Sequence, residues 1–183
     1  PRTRDDLQQH SATSFERIGQ VLLRDNRSDL ALKALKKARA AQKGKSGSIN
    51  YLLAQIYEQK EEHASALEEL ESFFDAKLTM GRGPFLLLAR ILEKLGEKDS
   101  LTLRLETLAR TDPRNSDLQF FLADQYASND RLEDAETIYR RALENKPSSE
   151  AYLGLAKIYR QQKKARELLE NLANALSRSD EIG

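Results

Sequence analysis

Cysteine is absent from the 183 residues. The chain therefore has no disulfide framework, no thiolate metal site and no cysteine nucleophile. A cysteine-free chain fits any compartment, so redox reasoning leaves its location open. Tryptophan is also absent, and there are two histidines, one methionine and eight glycines. Little is left from which to assemble the usual catalytic constellations. Long apolar runs are missing too. The stretch from Phe85 to Ala89 is among the longest, whereas a membrane-spanning helix needs roughly 20 apolar residues. No stretch has the pattern of a secretory signal peptide. Neither sign of charge dominates: 30 basic and 29 acidic side chains leave a net charge of +1. That balance argues against a dedicated nucleic-acid or membrane-surface binder. The chain opens on Pro1 and closes on Ser-Asp-Glu-Ile-Gly, which reads as an excised segment or a processed product.

What the sequence does contain is a period. Pro113 and Pro147 lie 34 residues apart, each just after a helical pattern. The segment that Pro147 closes holds two amphipathic stretches, 116–126 and 132–145, joined by the polar turn Asn129-Asp130-Arg131. In each, apolar residues fall three and four apart, the mark of one buried helical stripe. The layout recurs five times, over about 12–46, 47–81, 82–115, 116–148 and 149–182. Gly19, Ala54, Ala89, Ala123 and Ala156 give each first helix a small residue. Leu22, Tyr57, Leu92, Tyr126 and Tyr159 follow three positions later. Ala31, Ala66 and Ala135, with Ala38, Ala142 and Ala175, are small residues of the second helices.

In these residues the sequence resembles the tetratricopeptide repeat family, over about residues 12–182. The resemblance implies an all-α fold, an α-solenoid of five helix–turn–helix repeats wound as a right-handed superhelix, with residues 1–11 as a flanking segment. First helices would form its inner wall and second helices its outer wall. Small residues let paired helices approach closely, and stacking supplies the core that a single hairpin lacks. Departures are visible. Leu101 and Leu168 stand where the family prefers alanine, which predicts altered packing in repeats three and five. Phe73 and Leu108 replace the later small residue. Around Met80-Gly-Arg-Gly-Pro84 there is an extra residue, so Gly81 and Gly83 are expected in the turn and Pro84 at the next helix start.

Chemistry is harder to find. His10 falls in the flanking segment and His63 in the second repeat. Neither has the serine and carboxylate arrangement of a triad, and both read as exposed polar residues. Gly44-Lys45-Ser46 lacks the earlier glycine of a phosphate loop, since Arg39 stands there. Glu61-Glu62 and Glu68-Glu69 read as solvated helix surface rather than metal ligands. No enzyme activity, cofactor or metal is expected. Charge is uneven between repeats: residues 1–46 carry 11 basic and 5 acidic side chains, and 47–81 carry 2 and 7. The basic cluster Lys33, Lys36, Lys37, Arg39, Lys43 and Lys45 allows RNA binding as a lesser reading. No aromatic residues interleave it as stacking surfaces would, and a helix C-terminus favours cations in any case.

The family resemblance points instead to a partner protein on the inner wall. Counted from each repeat start, the resemblance implies that positions two, five, six, nine, twelve and thirteen face inward. That selects Glu16, Arg17, Gln20 and Arg24 in repeat one, and Tyr51, Leu52, Gln55 and Gln59 in repeat two. Repeat three gives Leu86, Leu87, Arg90 and Lys94. Repeat four gives Phe120, Phe121 and Asp124, and repeat five Leu153, Gly154, Lys157 and Arg160. Chaperone-binding relatives carry asparagines at position six; here it is Arg17, Leu52, Leu87, Phe121 and Gly154, which argues against that ligand. An apolar strip of Leu52, Leu87 and Phe121 with a polar border suits a peptide or amphipathic helix. Tyr51, Leu86 and Phe120 are equally readable as core between hairpins. At the far end Leu169, Leu172 and Leu176 form a stripe on the last helix with no capping helix beyond it. This suggests that the end packs on another chain, including a homodimer through the fifth repeat, or on a further region of the same protein. Self-association, with a scaffold role within a larger protein, is the alternative function. The inner strip is likewise open to filling by a further part of the same protein.

Overall fold

A computed structural model describes residues 4–42, 46–77 and 81–181. Lys43, Gly44 and Lys45, and Met80, lie outside the described residues. The described chain is helical: α1 Arg4–Arg24, α2 Ser28–Ala41, α3 Gly47–Gln59, α4 His63–Asp75 and α5 Gly83–Leu95. A short 3-10 turn at Lys98–Ser100 leads to α6 Leu101–Thr111, then α7 Ser116–Ser128, α8 Leu132–Asn145, α9 Ser149–Gln161 and α10 Ala165–Ser177. Helix α1 runs unbroken from Arg4, so most of the flanking segment continues the first helix. The chain forms two compact units, residues 1–101 and 102–183. The division falls inside the third repeat, at the start of α6.

Within the first unit α1 pairs with α2 and α3 with α4, while α2 packs on α3 and α4 on α5. The first helices α1, α3 and α5 lie side by side. The second unit repeats the scheme: α7 pairs with α8, α8 packs on α9, α9 pairs with α10, and α7 adjoins α9. Each unit has its own apolar cluster. In the first, Ala31, Leu35 and Ala38 of α2 meet Ile49, Leu53 and Ile56 of α3. In the second, Ala135 and Tyr139 of α8 meet Ala151, Leu155 and Ile158 of α9. Leu168 packs against that second cluster.

The small residues do what close approach requires. A Cβ added to Gly19 would lie 2.6 Å from Leu35. Ala31, Ala54, Ala66, Ala123 and Ala135 are fully buried. Pro84 sits in the first turn of α5, where its missing N–H has no partner to lose. Gly83 is inside that helix rather than in the turn, and a Cβ there would lie 2.7 Å from the Tyr51 hydroxyl. Side-chain caps start α7 and α9: Asn115 accepts from the Leu118 N–H at 3.1 Å and Ser148 from the Ala151 N–H at 3.2 Å.

Every hairpin turns on the same device. Position 15 is left-handed in all five repeats: Asn26, Glu61, Gly96, Asp130 and Lys163 have φ of 59°, 60°, 75°, 61° and 57°. The next N–H reaches back to the carbonyl at position 11. The bonds are Arg27 to Leu22, Glu62 to Tyr57, Glu97 to Leu92, Arg131 to Tyr126 and Lys164 to Tyr159, each 2.8 or 2.9 Å. This bond closes the first helix and fixes the chain's reversal. Only the third repeat uses glycine, the residue without a steric penalty there. Glu61→Gly and Lys163→Gly are each expected to stabilise the chain by about 0.5–1 kcal/mol, seen as a higher urea midpoint. The gain should be smaller at Asn26 and Asp130, whose side chains tolerate this backbone. A loss at Glu61 or Lys163 would show that their side chains contribute more than the backbone penalty costs.

Candidate functional site

In each unit the wall is set by how its first helices are rotated, α5 in the first unit and α9 in the second. Pro84, Leu87, Leu88, Ile91 and Leu92 share the buried stripe of α5 at three- and four-residue spacing. Leu87 is therefore core, only 1% exposed. The opposite row, Leu86, Arg90 and Lys94, faces solvent. In α7 burial extends around most of the helix, over Leu118 and from Phe120 to Ala123. Phe121 is 6% exposed. The expected exposed strip at position six is thus corrected: Leu52 is half-buried, and Leu87 and Phe121 are interior. The large apolar side chains that remain exposed on the wall stand at position five, Leu86 and Leu153. Each has a cation one turn on, Arg90 and Lys157, also exposed.

In the first unit the wall is polar beside Leu86. Tyr51 packs on Phe73 with ring centroids 5.3 Å apart, and Phe73 and Phe74 continue to Phe85. Burial pushes the Tyr51 hydroxyl up, against the opposing pull of its hydrogen bond with Gln55 and of the Arg90 charge. Arg90 Nε lies 3.5 Å from Glu58 Oε1. Tyr51, Gln55, Glu58 and Arg90 are therefore one connected patch, and Glu58 stands at the inward position twelve although it was not named with the others. Arg17 is exposed and Gln20 half-buried on α1.

In the second unit the wall is joined to the outer helix. Phe120 stacks on Tyr139 with centroids 5.4 Å apart and belongs to the core. The Tyr139 hydroxyl donates to Asp124 Oδ1 at 2.7 Å. Gly154 makes this reach possible, because a Cβ there would lie 2.4 Å from two Tyr139 ring atoms. Gly154 is buried and lends its position as space rather than as a contact. Leu153, Lys157 and Arg160 form the exposed row of α9. Behind them Glu136 accepts from Arg140 Nε at 2.7 Å, from the Tyr159 hydroxyl at 3.3 Å and from Lys164 Nζ at 3.4 Å. Burial raises the Glu136 carboxyl, but Arg140 and Lys164 outweigh it and hold it below its ordinary value.

His10 is exposed on α1. His63 is half-buried, with Nδ1 shielded and without a hydrogen-bond partner among the described residues, so it is not the open surface residue expected. In the basic cluster Lys37 lies over the Phe15 ring and Arg39 pairs with Glu69 at 2.7 Å. Asn171, which carried no sequence signal, is buried and donates to the Tyr152 carbonyl at 2.9 Å. Among the described residues no group of histidines, cysteines or carboxylates could hold a metal ion. No described helix is long and apolar enough to cross a membrane.

Two family models, both described as tetratricopeptide repeat, match residues 17–75 and 103–158. The chain belongs to the tetratricopeptide repeat family. One match falls in each compact unit. Solved structures agree on the tetratricopeptide fold. MamA is 20% identical with a TM-score of 0.61, over 93% of this chain and 92% of its own. YrrB, described as a tetratricopeptide protein with an unusual peptide-binding site, is 19% identical with a TM-score of 0.56, over 89% and 84%. A thermophilic tetratricopeptide protein from Thermus thermophilus is 21% identical with a TM-score of 0.54, over 92% of each chain. No curated protein matches the sequence significantly. Tetratricopeptide repeats serve generally as non-catalytic protein-interaction modules, and this chain has the architecture of one.

Two measurements probe the wall's construction. Gly154→Ala must displace the Tyr139 ring and is expected to cost about 1–3 kcal/mol in urea denaturation. An unchanged midpoint would mean that the ring moves freely and does not fix Asp124. Glu136→Gln is expected to cost about 1–2 kcal/mol at neutral pH. The Glu136 carboxyl is lowered in the folded chain, so its contribution is present above the ordinary glutamate range and lost as pH falls through the folded value. The difference between Glu136→Gln and the unmodified chain should therefore close on acidification; a constant difference would place the effect in packing.

Proposed function

We propose that this chain holds a peptide or amphipathic helix of a partner protein on its inner wall. The ligand segment presents an apolar side chain with a carboxylate nearby. The carrying observation is the pairing, on α5 and again on α9, of an exposed leucine with a cation one turn later, Leu86 with Arg90 and Leu153 with Lys157. An exposed apolar group accepts apolar surface, and an adjacent cation orients an acidic residue without much net affinity of its own. Tyr51 and Gln55 supply hydrogen-bonding groups beside Leu86, and Arg160 extends the cationic row beside Leu153. Arg17 and Gln20 lengthen the wall toward α1. In this reading Leu87, Phe120 and Phe121 support the wall from within, and Asp124 is held by Tyr139 as part of its frame.

The test is selection from a random peptide library, comparing the unmodified chain with Leu86→Asp and Leu153→Asp. Both replaced side chains are exposed, so helicity should be unchanged. Selected peptides are expected to combine apolar and acidic residues. At least one of the two substitutions should weaken them tenfold or more, and Arg90→Glu or Lys157→Glu should shift the selection toward basic peptides. Peptides retained equally by every variant would place binding elsewhere on the surface.

A further inference from the structure

Helices α1 and α10, the first and last long helices among the described residues, expose the two halves of one junction. Inside each unit, a second helix packs on the first helix that follows it, α2 on α3 and α8 on α9. Positions 7 and 10 of the later helix are used each time, and on the earlier helix position 24 is shared, joined by 21 or by 28. Leu32 and Leu35, at positions 21 and 24, share a cluster with Leu53 and Ile56, at positions 7 and 10. Tyr139 and Leu143, at positions 24 and 28, share one with Leu155 and Ile158. The end helices carry matching residues uncovered. On α10 the positions are Leu169, Leu172 and Leu176, with Leu176 77% exposed. On α1 positions 7 and 10 are Ile18 and Val21, 48% and 56% exposed, although Leu53, Leu88, Leu122 and Leu155 are all buried at position 7.

Charge matches as well. At the junction between repeats one and two, Asp29 at position 18 accepts from Lys60 at position 14, at 2.7 Å. At the open ends the corresponding residues are Arg166 on α10 and Asp25 after α1, an opposite pair with the signs exchanged. Arg166 Nε holds Glu170 at 3.0 Å, and a guanidinium has further N–H groups to offer. We propose that the chain associates with a second copy of itself head to tail, α10 of one copy packing on α1 of the next in the register of its internal junctions. Such a heterologous contact leaves one end of each kind free. It uses neither Leu86 nor Leu153, so it stands apart from the inner wall.

Sedimentation velocity tests it through complementation. The unmodified chain should show a sedimentation coefficient that rises with concentration. Val21→Asp spoils only the α1 end and Leu176→Asp only the α10 end; each alone should be monomeric with unchanged helicity. Their mixture should give a one-to-one dimer and nothing larger. Exchanging the charges in one chain, Asp25→Arg with Arg166→Asp, should restore association that either replacement alone weakens about tenfold. Self-association of Val21→Asp through α10 would overturn the proposal in favour of a symmetric tail-to-tail pair. An unmodified chain that stays monomeric to millimolar concentration would also overturn it, leaving the α10 leucines for another protein.

Discussion

A helical hairpin of about thirty residues carries more apolar surface than it can cover by itself. Everything else in this chain follows from that constraint. The two helices of a pair cover one stripe each, at the small residues Gly19 and Ala31, Ala54 and Ala66, Ala123 and Ala135. The second helix then has leucines or aromatics left over, and the next first helix covers them. Leu35 under Leu53 and Tyr139 against Gly154 are two solutions of the same problem. The first uses interlocking aliphatic side chains. The second removes a side chain altogether, so that a ring can pass through the layer and deliver a hydroxyl to the wall beyond.

That second solution links packing to the proposed binding surface. Asp124 stands on the inner wall, and its orientation is set by a tyrosine rooted in the outer helix. A wall side chain held from behind loses less conformational freedom when a partner arrives, which lowers the cost of binding. The row of α9 is supported comparably, since Tyr159 on its buried side shares Glu136 with Arg140 and Lys164. Such a charge cluster is partly shielded, so its hydrogen bonds contribute more than isolated surface pairs would. Among the exposed cations of the wall, Arg90 is already shared with Glu58.

The repeat, its period and its small residues were legible in the sequence because they are fixed by steric contact, which tolerates few side chains. The turns were less legible. A left-handed residue usually announces itself as glycine, but here four of the five are Asn, Glu, Asp and Lys. The surrounding backbone bond determines the conformation, and the residue type follows it only loosely. The exposed apolar positions of the wall were misread by one residue for a different reason. Phe85, Leu86, Leu87 and Leu88 are all apolar, so periodicity cannot say which of them points outward when adjacent residues differ by about 100° around a helix. The polar partners one turn away hold that information: Leu86 is in line with Arg90 and Lys94, and Leu87 with Ile91. Gly154 shows the same limit. In sequence it reads as a gap in a row of wall residues, whereas its meaning depends on Tyr139, one helix earlier.

The exposed ends are where this architecture differs from a closed globule. In a globule the last element laid down covers the remaining apolar surface, whereas in a repeat array each addition covers one stripe and uncovers another. The uncovered stripe is then determined by the repeat itself and needs no separate origin. Ile18 and Val21 are ordinary core positions of a first helix, and Leu169, Leu172 and Leu176 ordinary junction positions of a second. Exposing several of them at one end costs solubility unless something covers them. Among the described residues the exposed leucines of the inner wall stand singly beside cations, Leu86 with Arg90 and Leu153 with Lys157. The continuous leucine stripe of α10 has no such separation, so covering apolar area matters more at the ends, and orienting charge matters more along the wall.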